Sequence, residues 1–254
     1  MIRSLRKADH LRIAARLADG PSTNGFEDIH LLNDSVPELS LADIDFSCIF
    51  LSKKLAYPII INAITGGTDE AGRINRSLAA LTRKYGLAMA VGSQTLAIHD
   101  PALRHTFSVV REENPDGIIL ANVSALSPVN EALRAVEMVQ ADGLQLHFNA
   151  AQELAMPEGD RDFTGMIDNV ARLVEQSPVP VIAKEVGFGF SREAAGKLWE
   201  AGVQYFDIGG KGGTNFVAIE DQRQGLFAHE FDDWGIPTAV SLTELLTLEH
   251  PVQI

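Results

Sequence analysis

Residues 143–163 read GLQLHFNAAQELAMPEGDRDF and bring several kinds of chemistry close together. Leu144 and Leu146 mark an apolar strand, which runs into His147, Asn149, Gln152 and Glu153 and breaks at Pro157. Four acids (Glu153, Glu158, Asp160 and Asp162) fall within its last eleven positions. Polar groups crowded at the C-terminal end of a buried strand can bind a ligand, move a proton or hold a cation, and an α/β barrel builds its active site in this way. A loop with a helix cap is the plainer reading, and this stretch alone leaves both open.

Other strand ends carry their own signatures. Thr65-Gly66-Gly67 follows one apolar run, Gly92-Ser93-Gln94 the next, and Asn122 sits in a third. Lys184 and Glu185 end a fifth, and GGKGGTN (209–215) closes a sixth. Glycines and small residues let backbone approach a planar ring, while Ser, Asn and Thr hydrogen-bond ring heteroatoms. A lysine ending a buried strand needs an anionic partner to stay charged. A reduced flavin, negative around N1, would serve. An ion pair with Glu185 or another acid would serve equally.

The elements that must position these residues are short Val/Ile/Leu runs alternating with amphipathic helical patterns at 70–84, 130–140, 166–176 and 192–201. Such alternation implies parallel strands in βαβ units. No G-x-G-x-x-G follows the first strand, so the dinucleotide fingerprint of a doubly wound sheet is absent. Every strand end has a distinctive polar or glycine-rich sequence, as expected when the loops converge on one mouth. The predicted fold is therefore an α/β, TIM (β/α)8-type barrel.

Composition narrows the function. The 254 residues are 46% hydrophobic and 22% charged, ordinary for a globular chain. A formal charge of −13 argues against nucleic-acid binding, which needs a basic face. No apolar run reaches membrane-spanning length. Cys48 is the only cysteine, which excludes an intrachain disulfide and fits a reducing cytoplasm. The first sixteen residues hold Arg3, Arg6, Lys7, Arg12 and Arg16 against one acid, Asp9. That local excess suits either a solvated helix face or an anionic ligand.

Seven stretches, taken together, carry a resemblance: RKADH (6–10), NAITGG (62–67), VGSQ (91–94), ANVS (121–124), QLHFNAAQELAMPEGDRDF (145–163), KEVGFG (184–189) and GGKGGTNFVAIEDQR (209–223). In this order, over nearly the whole chain, they resemble the type 2, FMN-dependent isopentenyl-diphosphate isomerases. The resemblance implies conversion of isopentenyl to dimethylallyl diphosphate in isoprenoid biosynthesis, with reduced FMN acting as acid and base. It implies that Ala63, Ile64, Thr65, Ser93, Asn122, Lys184 and Thr214 line the FMN. Arg6, Lys7, Ser93, Gln94, Thr95 and Gln152 would contact substrate, and Glu153 would hold Mg²⁺. Gln152, His147 and Asn149 are the catalytic candidates, the latter two as auxiliary diphosphate contacts. NADPH would keep the flavin reduced, and the chain would form a homo-oligomer, a tetramer or octamer. His30, His99, His105, His229 and His250 are read as structural.

The pattern departs from the family in two places. Ile64 stands where the family more often has Met, a swap of similar volume. The chain also stops at EHPVQI, where a seventh strand would begin, so roughly the last two βα units of a barrel are expected to be missing. On this reading the chain is one domain, with 1–56 a substrate-contacting extension and 57–254 the barrel units. The alternatives are an FMN-dependent barrel oxidoreductase of the 2-hydroxy-acid oxidase type, or an inactive fragment.

Overall fold

The computed structural model describes residues 9–10, 12–17, 23–63, 66–225, 227 and 229–254. Arg6, Lys7, Ile64 and Thr65 lie outside the described residues.

An antiparallel hairpin, β1 (Cys48–Phe50) and β2 (Lys53–Leu55), comes first, turning through Leu51 and Ser52 at φ 46° and 64°. Two successive positive-φ residues match the twist of paired strands. Six parallel strands follow, side by side in chain order. They are β3 (Ile60–Ile61), β4 (Ala88–Ala90), β5 (Ile119–Ser124), β6 (Gly143–Phe148), β7 (Val181–Glu185) and β8 (Tyr205–Asp207). The helices between them are α1 (Asp69–Tyr85), α2 (Thr95–His99), α3 (His105–Glu113), α4 (Val129–Val139), α5 (Ala150–Ala155), α6 (Met166–Gln176) and α7 (Arg192–Glu200). After β8 come α8 (Phe216–Gln224) and α9 (Thr238–Leu246). Gln253 then bridges to Tyr205 in the parallel sense, adding a further pairing beside β8.

Local chemistry sets the helix ends. The Thr68 hydroxyl accepts the Ala71 N–H at the start of α1, and Gly86 closes that helix in the left-handed region. Ser191 and Asn215 cap α7 and α8 in the same manner. Strand period 2 then sorts side chains to two faces. Met89, Ile119, Ala121, Val123, Leu144, Leu146, Ala183 and Phe206 pack outward against helix residues such as Phe107, Val110, Val136, Val170 and Leu198. Each Val, Leu, Ile, Met or Phe among them contributes about 1.5–3 kcal/mol by leaving water.

The other face turns inward, because the sheet curls. Asn62, just past β3, donates to Asp207 at the end of β8 at 2.5 Å, so the two outermost strands meet across the interior. The lower interior is apolar, built from Ala88, Ala90, Leu120 and Ile182 with Leu55 and the hairpin's Phe50 and Leu51. Gly143 begins β6 where a Cβ would lie 2.8 Å from a Leu51 methyl, so the hairpin seats against a strand with no side chain there. This is the α/β, TIM-barrel type of architecture.

Candidate active site

Above the apolar floor the inward positions become polar. Asn62, Asn122, Gln145, Lys184 and Asp207 form one tier, with His147 above it. The register sets Asn122 beside Gln145, His147 beside Lys184, and Lys184 beside Asp207. Lys184 is 8% exposed, and its ammonium lies 3.1 Å from the Asp207 carboxylate while also donating to the Glu185 carbonyl. Its acidic partner is therefore Asp207, one of the options left open by sequence. Gln145 donates to Asn62 and Asp207 at 3.0 and 3.2 Å, and accepts from Asn122 at 3.1 Å. Asn122 bonds His147 Nδ1 at 2.9 Å.

A cavity of about 470 Å³ opens over this tier at the C-terminal ends of the strands. Ala63, Ser93, Thr95, Asn122, His147, Asn149, Gln152, Glu153, Lys184 and Thr214 all line it, from six consecutive strand ends. Ser93 and Thr95 share a hydroxyl contact of 3.2 Å on its wall.

Gln94 is placed differently from the expected substrate contact. Its side chain is fully buried behind the wall, Nε2 donating to the Ala135 carbonyl at 2.9 Å and Oε1 accepting the Asn122 N–H at 3.0 Å. Both ends are engaged by backbone, so it braces β5 against α4 and is not among the cavity's lining residues.

The stretch 149–162 resolves into a helix with its supports. Asn149 precedes α5, its Nδ2 donating to Gln152 at 3.2 Å and to Glu153 at 2.8 Å. The second Glu153 oxygen accepts the Asp160 N–H at 2.9 Å. Arg161 donates to the carbonyls of Glu153 and Met156, satisfying the end of the helix. Gly159 is required where the loop folds back, because a Cβ there would meet the Glu153 carbonyl at 2.0 Å. Glu158 and Asp160 reach the cavity as well, so its rim is acidic. Among the described residues no group of three or more His, Cys, Asp or Glu is arranged to hold a metal ion.

Four site residues escaped the sequence reading. Asn62, Gln145 and Asp207 are polar residues at inward positions, and the alternation in LQLH was the signal that could have exposed Gln145. His10 lines the cavity, its Nε2 2.6 Å from the fully buried Glu220, which Arg223 also binds. Glu185 faces away from the cavity and accepts the N–H groups of Phe188 and Gly189 at 2.5 and 2.7 Å. Burial pushes its carboxyl up to about 7 despite those bonds and the neighbouring Lys184 charge.

No protein-family model matches the chain. It is 51% identical to an isopentenyl-diphosphate delta-isomerase of Symbiobacterium thermophilum over 260 residues, covering 98% of this chain and 71% of that protein. Against the isopentenyl-diphosphate delta-isomerase of Moorella thermoacetica it is 50% identical, with 99% and 72% covered. The protein of that name in Listeria innocua is 43% identical, with 99% and 70% covered. Among solved structures, a mandelate oxidase variant with an FMN adduct superposes with a TM-score of 0.51 at 13% identity, over 78% of this chain and 65% of that one. That likeness speaks to the barrel fold alone.

Proposed function

The chain belongs to the isopentenyl-diphosphate delta-isomerases, and from that premise we propose that it shifts the double bond of isopentenyl diphosphate to give dimethylallyl diphosphate. The observation that carries the proposal is one cavity joining a buried lysine, small and hydroxylic strand ends, and the Asn149–Gln152–Glu153 cluster. Ala63 and Gly92 leave room for a planar ring, and Ser93, Asn122, Lys184 and Thr214 supply hydrogen-bond donors, so the residues suit FMN. They would hold the flavin together with Ile64 and Thr65. Reduced flavin, maintained by NADPH, would supply the acid–base chemistry at the reacting carbons.

The chain's own residues anchor and orient. Lys184 places a positive charge in a nearly dry wall, where the Asp207 carboxylate already offsets it. Gln152, Ser93 and Thr95 would position substrate, with His147 and Asn149 toward the diphosphate. Arg6 and Lys7 would reach the same diphosphate. A cation such as Mg²⁺ prefers one or two carboxylates plus phosphate oxygens to an all-protein cage, which suits Glu153 acting without a cluster of ligands. The acidic rim also discourages entry of a diphosphate that carries no cation. The chain would work in the cytoplasm as a homo-oligomer.

The test is conversion of isopentenyl to dimethylallyl diphosphate by the purified chain given FMN, a reductant and Mg²⁺. Turnover by fully oxidised, metal-free protein would sink the proposal. Glu153→Gln should keep flavin absorbance but lose Mg²⁺-dependent turnover by roughly two orders of magnitude, since metal polarisation is worth several kcal/mol. Near-normal rates in that variant would remove the metal role.

A further inference from the structure

The hydrogen-bonded tier across the cavity floor has a direction, and its two fixed groups set every link. Asp207 is an acceptor held by the Lys184 ammonium, and the Ala63 backbone N–H can only donate. Ala63 N–H meets Asn62 Oδ1 at 2.8 Å, which turns the Asn62 amide nitrogen to Asp207. Gln145 reaches the same two acceptors, Asn62 Oδ1 and the Asp207 carboxylate, and must point its Nε2 at them. Its Oε1 is then left to accept from Asn122 Nδ2. The remaining Asn122 atom facing the imidazole is Oδ1, an acceptor, so His147 Nδ1 must carry a proton.

We propose that Asp207 is a positioning residue for His147. Acting through Asn62, Gln145 and Asn122, it holds the ring in the Nδ1–H form, with Nε2 an acceptor in the neutral ring and a donor only in the imidazolium. Each amide in the series is asymmetric, so no single link can reverse without setting two donors or two acceptors against each other. Such a clash leaves a buried polar group unpaired. A hydrogen-bond partner on one ring nitrogen commonly dictates the state of the other. Here the dictating charge sits two amides away, through Gln145 and Asn122.

The consequence rests on the proposed function. Phosphate oxygens only accept at neutral pH, so contact between His147 and a diphosphate requires the doubly protonated ring. Lys184, beside His147 in the ladder, is the charge that would oppose this, and Asp207 offsets it.

The experiment is nitrogen NMR of the ligand-free full chain labelled at histidine, at pH 8, where an unperturbed imidazole is neutral. The His147 signals would be identified by their loss in His147→Gln. Protonated Nδ1 with unprotonated Nε2 is the expected result, and an Nε2–H ring overturns the proposal. Gln145→Met, which breaks the series, should shift His147 toward mixed tautomers; an unchanged spectrum from folded variant protein would also overturn it. If the variant does not fold, the wild-type spectrum alone decides. Inorganic pyrophosphate with Mg²⁺ should then convert His147 to imidazolium. An Nδ1–H ring that ignores pyrophosphate would support the Asp207 assignment while overturning His147 as a diphosphate contact.

Discussion

Gln94 shows how a residue of the expected type can serve from the wrong side of a wall. Its amide spans the Ala135 carbonyl and the Asn122 N–H, both buried. Gln94→Ala should therefore cost about 1–3 kcal/mol from unpaired buried groups, seen as a lower denaturant midpoint, together with weaker FMN retention as Asn122 loosens. Full stability with a raised KM alone would restore it as a substrate contact. The Gly-Ser-Gln sequence announces a polar strand end but does not say which way the third side chain turns, since the loop's path fixes that. Lys184 was legible as a buried cation in need of an anion. Which anion it finds depends on β8 lying next to β7, and that lies beyond any local pattern.

Among elements, the β7 end and the loop after it hold a titrating support. Glu185 gathers the N–H groups of Phe188 and Gly189 within a largely buried site, and burial pushes its pKa to about 7 from an ordinary 4.5. The folded chain thus binds that proton more tightly than the unfolded chain. Its stabilising effect is fully present below about pH 4.5 and is lost as pH rises to about 7, by on the order of 3 kcal/mol. Glu185→Gln can still accept both N–H groups without titrating. Its stability relative to wild type should rise across that window in urea melts run from pH 5 to 8. A flat difference would show that Glu185 has an ordinary pKa. The six parallel strands and the longer helices were legible, whereas the hairpin of β1 and β2 was not: the predicted 70–84 and 166–176 patterns correspond to α1 and α6, because apolar periodicity and caps agree there. The short α2 and α5 were not, since one or two helical turns carry too little periodicity and are held by tertiary partners such as Arg161.

At the scale of the molecule, residues 26–46 run across the surface with little cover. Leu31, Leu32 and Leu41 are 91%, 98% and 85% exposed, and Val36 and Phe46 lie nearby in sequence. Apolar exposure of this density in one arm favours contact with another copy, which supports the proposed homo-oligomer. Replacing Leu31 and Leu32 together with Glu should lower the mass measured by light scattering while the fold's circular dichroism stays unchanged. An unaltered mass would remove this arm as a subunit contact. Finally, the strict in-and-out alternation of β5 to β8 has a consequence for inheritance. Adjacent letters of one strand answer to different demands: Leu144 and Leu146 to the packing against the helices, Gln145 and His147 to the polar tier inside. Lineages could rewrite one set while copying the other unchanged, so the same scaffold can pass between chemistries by point substitutions alone. A single inserted residue within such a strand would exchange the two sets at once and lose both.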